Sequence, residues 1–334
     1  MTMKRDLAWH ARLSVAPMMD WTDRHCRYLH RMLSRHTLLY TEMVTVSAIL
    51  HGNAEQLLGF NPAEHPVALQ IGGAVPEDLA KATAIGCDFG YDEVNLNVGC
   101  PSDRVQSGRF GACLMQDPGL LADCARAMTE QSAGRTQITM KCRIGVDDQV
   151  PEAVLPDLIE KVAAQGIERI TIHARMAWLQ GLSPRENRNI PPLDYPLVHA
   201  MKTRFPAVRI ILNGGVQTLD EVLCHLGTGI DGVMLGRAAY HTPVATLGSA
   251  DRRVFGDGQD CSADQAVLRM LPYIDAQLSK GVRLNRITRP MLGLFAGCPG
   301  ARRWRQVLSQ EGHKPGAGPE VLERALSAVL PAAA

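Results

Sequence analysis

Asn95-Leu96-Asn97-Val98-Gly99-Cys100-Pro101 closes an alternating run with a glycine and a thiol, then stops at proline. Alternation puts Asn95 and Asn97 on one face of a strand, and Pro101 has no N–H to continue a ladder. The spacing therefore predicts Cys100 on an exposed turn just past a strand end, where a thiol is available for chemistry.

Runs of the same kind recur on both sides of it. In chain order they are Leu13–Pro17, Leu38–Thr41, Val67–Ile71, Glu93–Asn97, Gln137–Lys141, Arg169–His173, Arg209–Asn213 and Gly232–Leu235, eight in all. Between them lie segments of helical period with clear starts, such as Pro76-Glu77-Asp78 and the capping box Thr218-Leu219-Asp220-Glu221. Eight alternating strand–helix units over about 230 residues predict an α/β chain folded as a (β/α)8 TIM barrel. A doubly wound open sheet usually has fewer strands and needs a glycine-rich fingerprint after the first, where this chain has Met18-Met19-Asp20.

Past Tyr240 no further strand run occurs. A polar stretch, Gly248 to Asp260, leads into a second capping box, Ser262-Ala263-Asp264-Gln265. Helices are predicted over Ser262–Lys280, Arg283–Ala296, Gly300–Gln310 and Pro319–Val329, with Pro272 and Pro290 kinking the first two. The expected organisation is a catalytic barrel over 1–247 followed by an all-helical bundle over 248–334.

Composition narrows the class. With 334 residues, 46% of them hydrophobic, the chain can bury a sizeable core and an appended unit. No apolar run reaches the roughly 18 to 20 residues of a membrane span. The opening Met1-Thr2-Met3-Lys4-Arg5-Asp6-Leu7 lacks the apolar core of a signal peptide, so a soluble, unsecreted chain is expected. Nine cysteines without a C-x-x-C pair argue against disulfide frameworks, zinc ribbons and iron–sulfur ligation; no metal is expected, and a reducing cytoplasm fits best. The net charge of +1 is unevenly placed, for Ala276 to Gln310 carries Lys280, Arg283, Arg286, Arg289, Arg302, Arg303 and Arg305 and no acid. That is a local basic surface on a neutral protein. The helically spaced Arg24, Arg27, Arg31 and Arg35 read instead as a solvated face. Nothing points to an obligate protein partner.

In a barrel of this kind the active site lies at the carboxyl ends of the strands. Those ends carry Pro17-Met18-Met19, Glu42, Gln70, Asn95 with Asn97, Lys141 with Arg143, His173 with Arg175, Asn213-Gly214-Gly215 and Gly236-Arg237. Any one of them has an innocuous reading; their recurrence at one end does not. Glycines after the seventh and eighth strands let main-chain N–H groups approach an anion that Arg237 can pair, which favours a phosphorylated cofactor or substrate. Lys141 and His173 would stabilise a ring that gains negative charge on reduction, such as an isoalloxazine. A Schiff-base Lys141, its pKa lowered by Arg143, stays open. For Cys100, with no base or second cysteine at ligand spacing, donation of a proton is favoured over nucleophile or metal ligand.

These residues match a known family. Ala16-Pro17-Met18-Met19-Asp20, Val67-Ala68-Leu69-Gln70-Ile71-Gly72, Asn95 to Pro101, Met140-Lys141-Cys142-Arg143-Ile144-Gly145, Ile172-His173-Ala174-Arg175 and Leu212-Asn213-Gly214-Gly215 resemble the tRNA-dihydrouridine synthases. The segment Ala177 to Arg188 resembles their A type. The resemblance implies an FMN enzyme that uses NADPH to reduce the C5–C6 bond of D-loop uridines in tRNA, at positions 20 and 20a. It implies FMN contacts from Pro17, Met18, Met19, Gln70, Lys141, His173, Asn213, Gly214, Gly215, Gly236 and Arg237, the last five at the phosphate. Hydride would pass from flavin N5 to C6, Cys100 would protonate C5, and Asn97 would hold the target nucleotide. By the same resemblance tRNA contacts fall on Arg143, Arg175, Arg185, Arg188, Arg286, Arg302, Arg303 and Arg305. A flavin barrel acting on a free pyrimidine, as in dihydroorotate-type dehydrogenases, keeps the cofactor residues but gives the basic helices no use. A non-catalytic RNA chaperone on a barrel scaffold is the third reading.

Overall fold

The computed structural model describes residues 6–329. Met1 to Arg5, with most of the opening stretch read above, and 330–334 lie outside the described residues, as do both outer domain limits. Eight strands form a closed barrel in sequential order. They are β1 (Leu13–Val15), β2 (Leu38–Thr45), β3 (Val67–Gly72), β4 (Glu93–Val98), β5 (Gln137–Arg143), β6 (Arg169–His173), β7 (Arg209–Asn213) and β8 (Gly232–Leu235). Every pairing is parallel, and β1 closes on β8 with Val15 opposite Leu235. Parallel strands are covered on both faces, which is why they read as near-continuous apolar runs.

Most strand ends fall within two residues of expectation. The exception is β2, which continues four residues past Thr41 because the register shifts between Tyr40 and Met43. A bulge breaks the period-two alternation, so the strand's second half is masked in the sequence.

The barrel interior is not wholly apolar. Gln70, Asn95 and Thr139 are register partners on β3, β4 and β5, and all three are buried. Below them Glu93 pairs with Arg169, both fully buried. Charges are retained there because each is paired and hydrogen-bonded.

The helical part contains Ala263–Leu278, Leu284–Thr288, Ala301–Glu311 and Glu320–Ser327. Pro272 sits inside the first of these as expected, whereas Pro290 splits the second: the α-helix ends at Thr288 and a 3-10 turn, Arg289–Gly293, follows. A missing N–H accounts for the break. The polar stretch from Gly248 to Asp260 is not merely a connection. It holds the short helix Ala250–Phe255, whose Val254 and Phe255 are buried. Asp251 there accepts from Ser34 Oγ at 2.6 Å and from the main-chain N–H groups of Arg35 and His36 at 2.8 and 3.3 Å.

The helix Arg24–Leu33 is the shared wall between the barrel and these C-terminal helices. Tyr28 stacks on Tyr273 at 3.9 Å between centroids, and His25 Nδ1 lies 2.8 Å from Tyr273 Oη. The reading of Arg24, Arg27, Arg31 and Arg35 as a solvated face holds for Arg35, which is exposed, and is corrected for Arg27 and Arg31. Arg27 and Arg31 are 5% and 6% exposed. Arg27 pairs with Glu64 at 2.6 Å, and Arg31 donates to the carbonyls of Ser34, Thr37, Glu64 and Pro66. Helical spacing did put Arg27 and Arg31 on one face, but that face meets the turn before β3 rather than water.

Candidate active site

The carboxyl ends of the strands open into one cavity of about 1770 Å³. Pro17, Met18, Met19, Gln70, Asn97, Cys100, Lys141, Arg143, His173, Arg175, Arg188, Asn213, Gly214, Gly215, Gly236, Arg237 and Arg286 all line it. Of the residues singled out in the sequence at the strand ends or as basic contacts, Asn95, Arg185, Lys280, Arg283, Arg302, Arg303 and Arg305 are not among its walls.

Cys100 is held on both sides by its main chain. Its N–H donates to Asn97 Oδ1 at 3.0 Å, and its carbonyl accepts from Ala112 N at 3.0 Å. Gly111 makes this approach possible: its φ is +61°, and a Cβ there would stand 2.8 Å from the Cys100 oxygen. The thiol is half-buried and donates to Ser102 Oγ at 3.4 Å. Ser102 was missed in the sequence, although it lies two residues beyond the thiol.

Asn97 lines the cavity and is also tied into the protein. It is 8% exposed, and its oxygen accepts from both Gly99 N and Cys100 N while Nδ2 donates to Gln70 Oε1 at 2.8 Å. One N–H remains for a ligand. Arg143 also lines the cavity. It is 3% exposed and donates to the carbonyls of Gly99, Met176 and Asn187 at 3.2, 3.0 and 2.9 Å. Strand β5 points its last side chain between two loops, so the guanidinium binds their main chains.

Gln106 makes the same link from the other side, donating to Pro101 O at 2.9 Å and Leu179 O at 2.7 Å. The loop after β6 is thereby stitched to the turn that carries the thiol. It is further pinned by Asn187, whose amide brackets the main chain of Trp178. Trp178 is 39% exposed on that loop.

Lys141 and His173 face the cavity from β5 and β6. Burial first, and Arg143 second, pull the Lys141 ammonium down to about 8. Burial and then the cations Arg143, Lys141, Arg175 and Arg188 hold His173 well below its ordinary range, so its ring is neutral at pH 7 and can donate from one nitrogen. After β7, Gly214 has φ +112°, and a Cβ there would lie 2.6 Å from the His173 ring. Gly215 has φ +76°, and a Cβ would meet Leu193 at 2.5 Å and Tyr195 Oη at 2.7 Å. Tyr195 also donates to Gly214 O at 2.7 Å, a support with no local signal in the sequence. Asn213 ties β7 to β8 through Nδ2, which donates to Met234 O at 2.8 Å. Around Gly236 the nearest side-chain atom to an added Cβ is Met18 Sδ at 4.0 Å, so its main chain faces open cavity.

Arg185, Arg188, Arg237, Arg286, Arg302, Arg303 and Arg305 are exposed, and Arg175 is half-buried against Pro191 O. Trp304, amid the last three, belongs to the core: it is fully buried with Nε1 donating to Met291 O at 2.9 Å. Arg24 and Arg289 were not assigned to the site from sequence, yet both border the cavity. Among the described residues no cluster of His, Cys, Asp or Glu is placed to hold a metal ion, and no helix is long and apolar enough to cross a membrane.

The sequence pattern of one family, dihydrouridine synthase (Dus), matches residues 14–330. The chain belongs to the dihydrouridine synthase family. Two curated tRNA-dihydrouridine(20/20a) synthases are close relatives of this synthase. That of Vibrio parahaemolyticus is 55% identical over 95% of this chain and 97% of its own. That of Escherichia coli is 53% identical over 98% of this chain and 94% of its own. In fold the synthase is similar to an old yellow enzyme homologue from Zymomonas mobilis, with a TM-score of 0.53, 13% identity and coverage of 76% of this chain and 92% of that one. Dihydrouridine synthases are flavin oxidoreductases, and the cavity fits a flavin: glycine turns at Gly214-Gly215 and at Gly236 border it, and an ammonium and an imidazole face it from β5 and β6.

Proposed function

We propose that this synthase reduces the C5–C6 double bond of uridines 20 and 20a in the tRNA D-loop to give 5,6-dihydrouridine, with FMN as its flavin and NADPH as reductant. One observation carries the reading: a thiol, an ammonium and a neutral imidazole border the same cavity as the two glycine turns, in a chain that aligns end to end with (20/20a) synthases. Lys141, His173 and Gln70 would hold the polar edge of the ring system, with Pro17, Met18 and Met19 beside it. Asn213, Gly214, Gly215, Gly236 and Arg237 would hold the phosphate. When bound, the flavin supplies hydride to C6 of the uracil.

Cys100 holds the proton that C5 takes, and Ser102 orients it. A uridine reaches this depth only if flipped out of the folded RNA, which requires a grip on the neighbouring backbone. Arg188 and Arg286 at the cavity rim, Arg175 and Arg185 on the loop after β6, and Arg302, Arg303 and Arg305 on the helix Ala301–Glu311 would supply it. On this reading 1–247 is the catalytic barrel and 248–334 the RNA-binding unit. The test is to supply purified protein with FMN, NADPH and an unmodified tRNA transcript and to map dihydrouridine by mass spectrometry. Protein that takes up no flavin, or product at neither position, overturns the reading.

A further inference from the structure

A single file of hydrogen bonds runs from the closed part of the barrel to the turn that carries the thiol. Arg169 Nη2 donates to Glu93 Oε2, and Thr139 Oγ1 and Tyr40 Oη donate to Glu93 Oε1. Asn95 Nδ2 donates to Thr139 Oγ1, Gln70 Nε2 to Asn95 Oδ1 and Asn97 Nδ2 to Gln70 Oε1, each at 2.8 Å. Asn97 Oδ1 then accepts from Gly99 N and Cys100 N.

The two ends differ in kind. Glu93, paired with Arg169, is an acceptor only; the main-chain N–H groups of Gly99 and Cys100 are donors only. Between them stand a hydroxyl and three amides, each of which could point either way in isolation. With an obligate acceptor at one end and obligate donors at the other, only one direction satisfies every link. Turning one amide over sets donor against donor, or oxygen against oxygen, in a buried place.

We infer that Glu93 is a positioning residue for Cys100, acting through Thr139, Asn95, Gln70 and Asn97 to fix the direction in which the Asn97 amide meets the thiol-bearing turn. Glu93 is not among the cavity walls, and it acts at a distance because each side chain of the file is hydrogen-bonded to the next. The inference rests on the function proposed above, in which Cys100 donates the proton.

The test uses the FMN-loaded enzyme. Thr139→Val keeps the shape and cuts the file; Thr139→Ser keeps the hydroxyl. Stopped-flow reoxidation of NADPH-reduced enzyme by tRNA should slow on the order of tenfold in Thr139→Val and recover in Thr139→Ser, with flavin content and NADPH-driven reduction within about twofold of wild type. In a Cys100→Ala background Thr139→Val should add no more than about twofold, as expected of residues acting through one group. The paired variant Glu93→Gln with Arg169→Gln removes the charge with its partner and should show the same Cys100-dependent loss, should Thr139→Val not fold. Reoxidation at the wild-type rate in Thr139→Val, an undiminished effect without Cys100, or no recovery in Thr139→Ser overturns the inference. Dihydrouridine formation by wild type in the same assay separates that failure from a failure of the functional reading.

Discussion

Arg143 donates from Nε to the carbonyl oxygen of Gly99 at 3.2 Å, so the strand that presents Lys141 also grips the residue before the thiol. The same guanidinium reaches Met176 and Asn187 on the loop after β6. Arg143→Lys keeps a charge but has no planar fork to bind several carbonyls at once. Its turnover on tRNA should fall by roughly tenfold to a hundredfold, with NADPH oxidation by free flavin chemistry retained. Wild-type turnover in the lysine variant would show that the two loops hold their places without this clamp.

Replacing Cys100 by alanine removes the proton donor without touching Lys141 or His173. Dihydrouridine formation should drop by about a hundredfold to ten-thousandfold while NADPH still reduces the flavin. Ser102→Ala, which deletes the acceptor of the thiol hydrogen at 3.4 Å, should give a smaller loss of the same kind. Rapid-quench assay of single turnovers distinguishes the two effects.

Lys141 sets a pH dependence with a definite sign. Its ammonium titrates at about 8 rather than in the ordinary lysine range, because burial disfavours the charge. An anionic cofactor binds the charged form better, so FMN affinity should be highest below pH 8 and weaken as pH rises through it. His173, neutral across this range, should contribute no inflection. Lys141→Arg keeps its charge at every accessible pH and should flatten the profile; fluorescence titration of FMN from pH 6 to about 9.5 checks it.

A Cβ at Gly214 would lie 2.6 Å from the His173 ring in a φ region that other residues rarely adopt. Gly214→Ala should therefore displace the imidazole and the turn together, weakening FMN binding by on the order of tenfold or more. Retention of wild-type affinity would mean that this turn does not approach the cofactor.

Arg286 and Arg303 are both exposed, the first at the cavity rim and the second away from it. Charge reversal at either site should raise KM for tRNA several-fold and reduce the slope of affinity against salt, with flavin reduction unaltered. Filter binding across a salt series reports this directly. A slope identical to wild type would place the RNA elsewhere.

Much of the site was legible because its signals are local. Gln70, Lys141, His173 and Asn213 each sit at or near the last position of a strand read from its β-rich run, and a closed parallel barrel brings such positions to one rim. The turn after β7 was equally plain, since the positive φ of Gly214 and Gly215 must be served by residue type. Strand β2 was shortened in the reading because a bulge hides its second half.

The arginines show where such reading stops. Arg27, Arg31 and Arg143 look like any surface cation in sequence, yet each is buried and bonded to main-chain carbonyls or to Glu64. Arg302 and Arg303 remain exposed, and the Trp304 beside them turns inward. Helical spacing says which residues share a face, but not what that face meets.

Strand count, strand order, the thiol at a turn and the glycine pair after β7 were written in the chain itself, because period, proline and positive φ act over a few residues. The commitment of the Asn97 oxygen to Cys100 and the long connection from there to Glu93 belong to the folded barrel alone. Their partners lie on different strands, and a hydrogen bond's direction depends on every donor and acceptor in line with it.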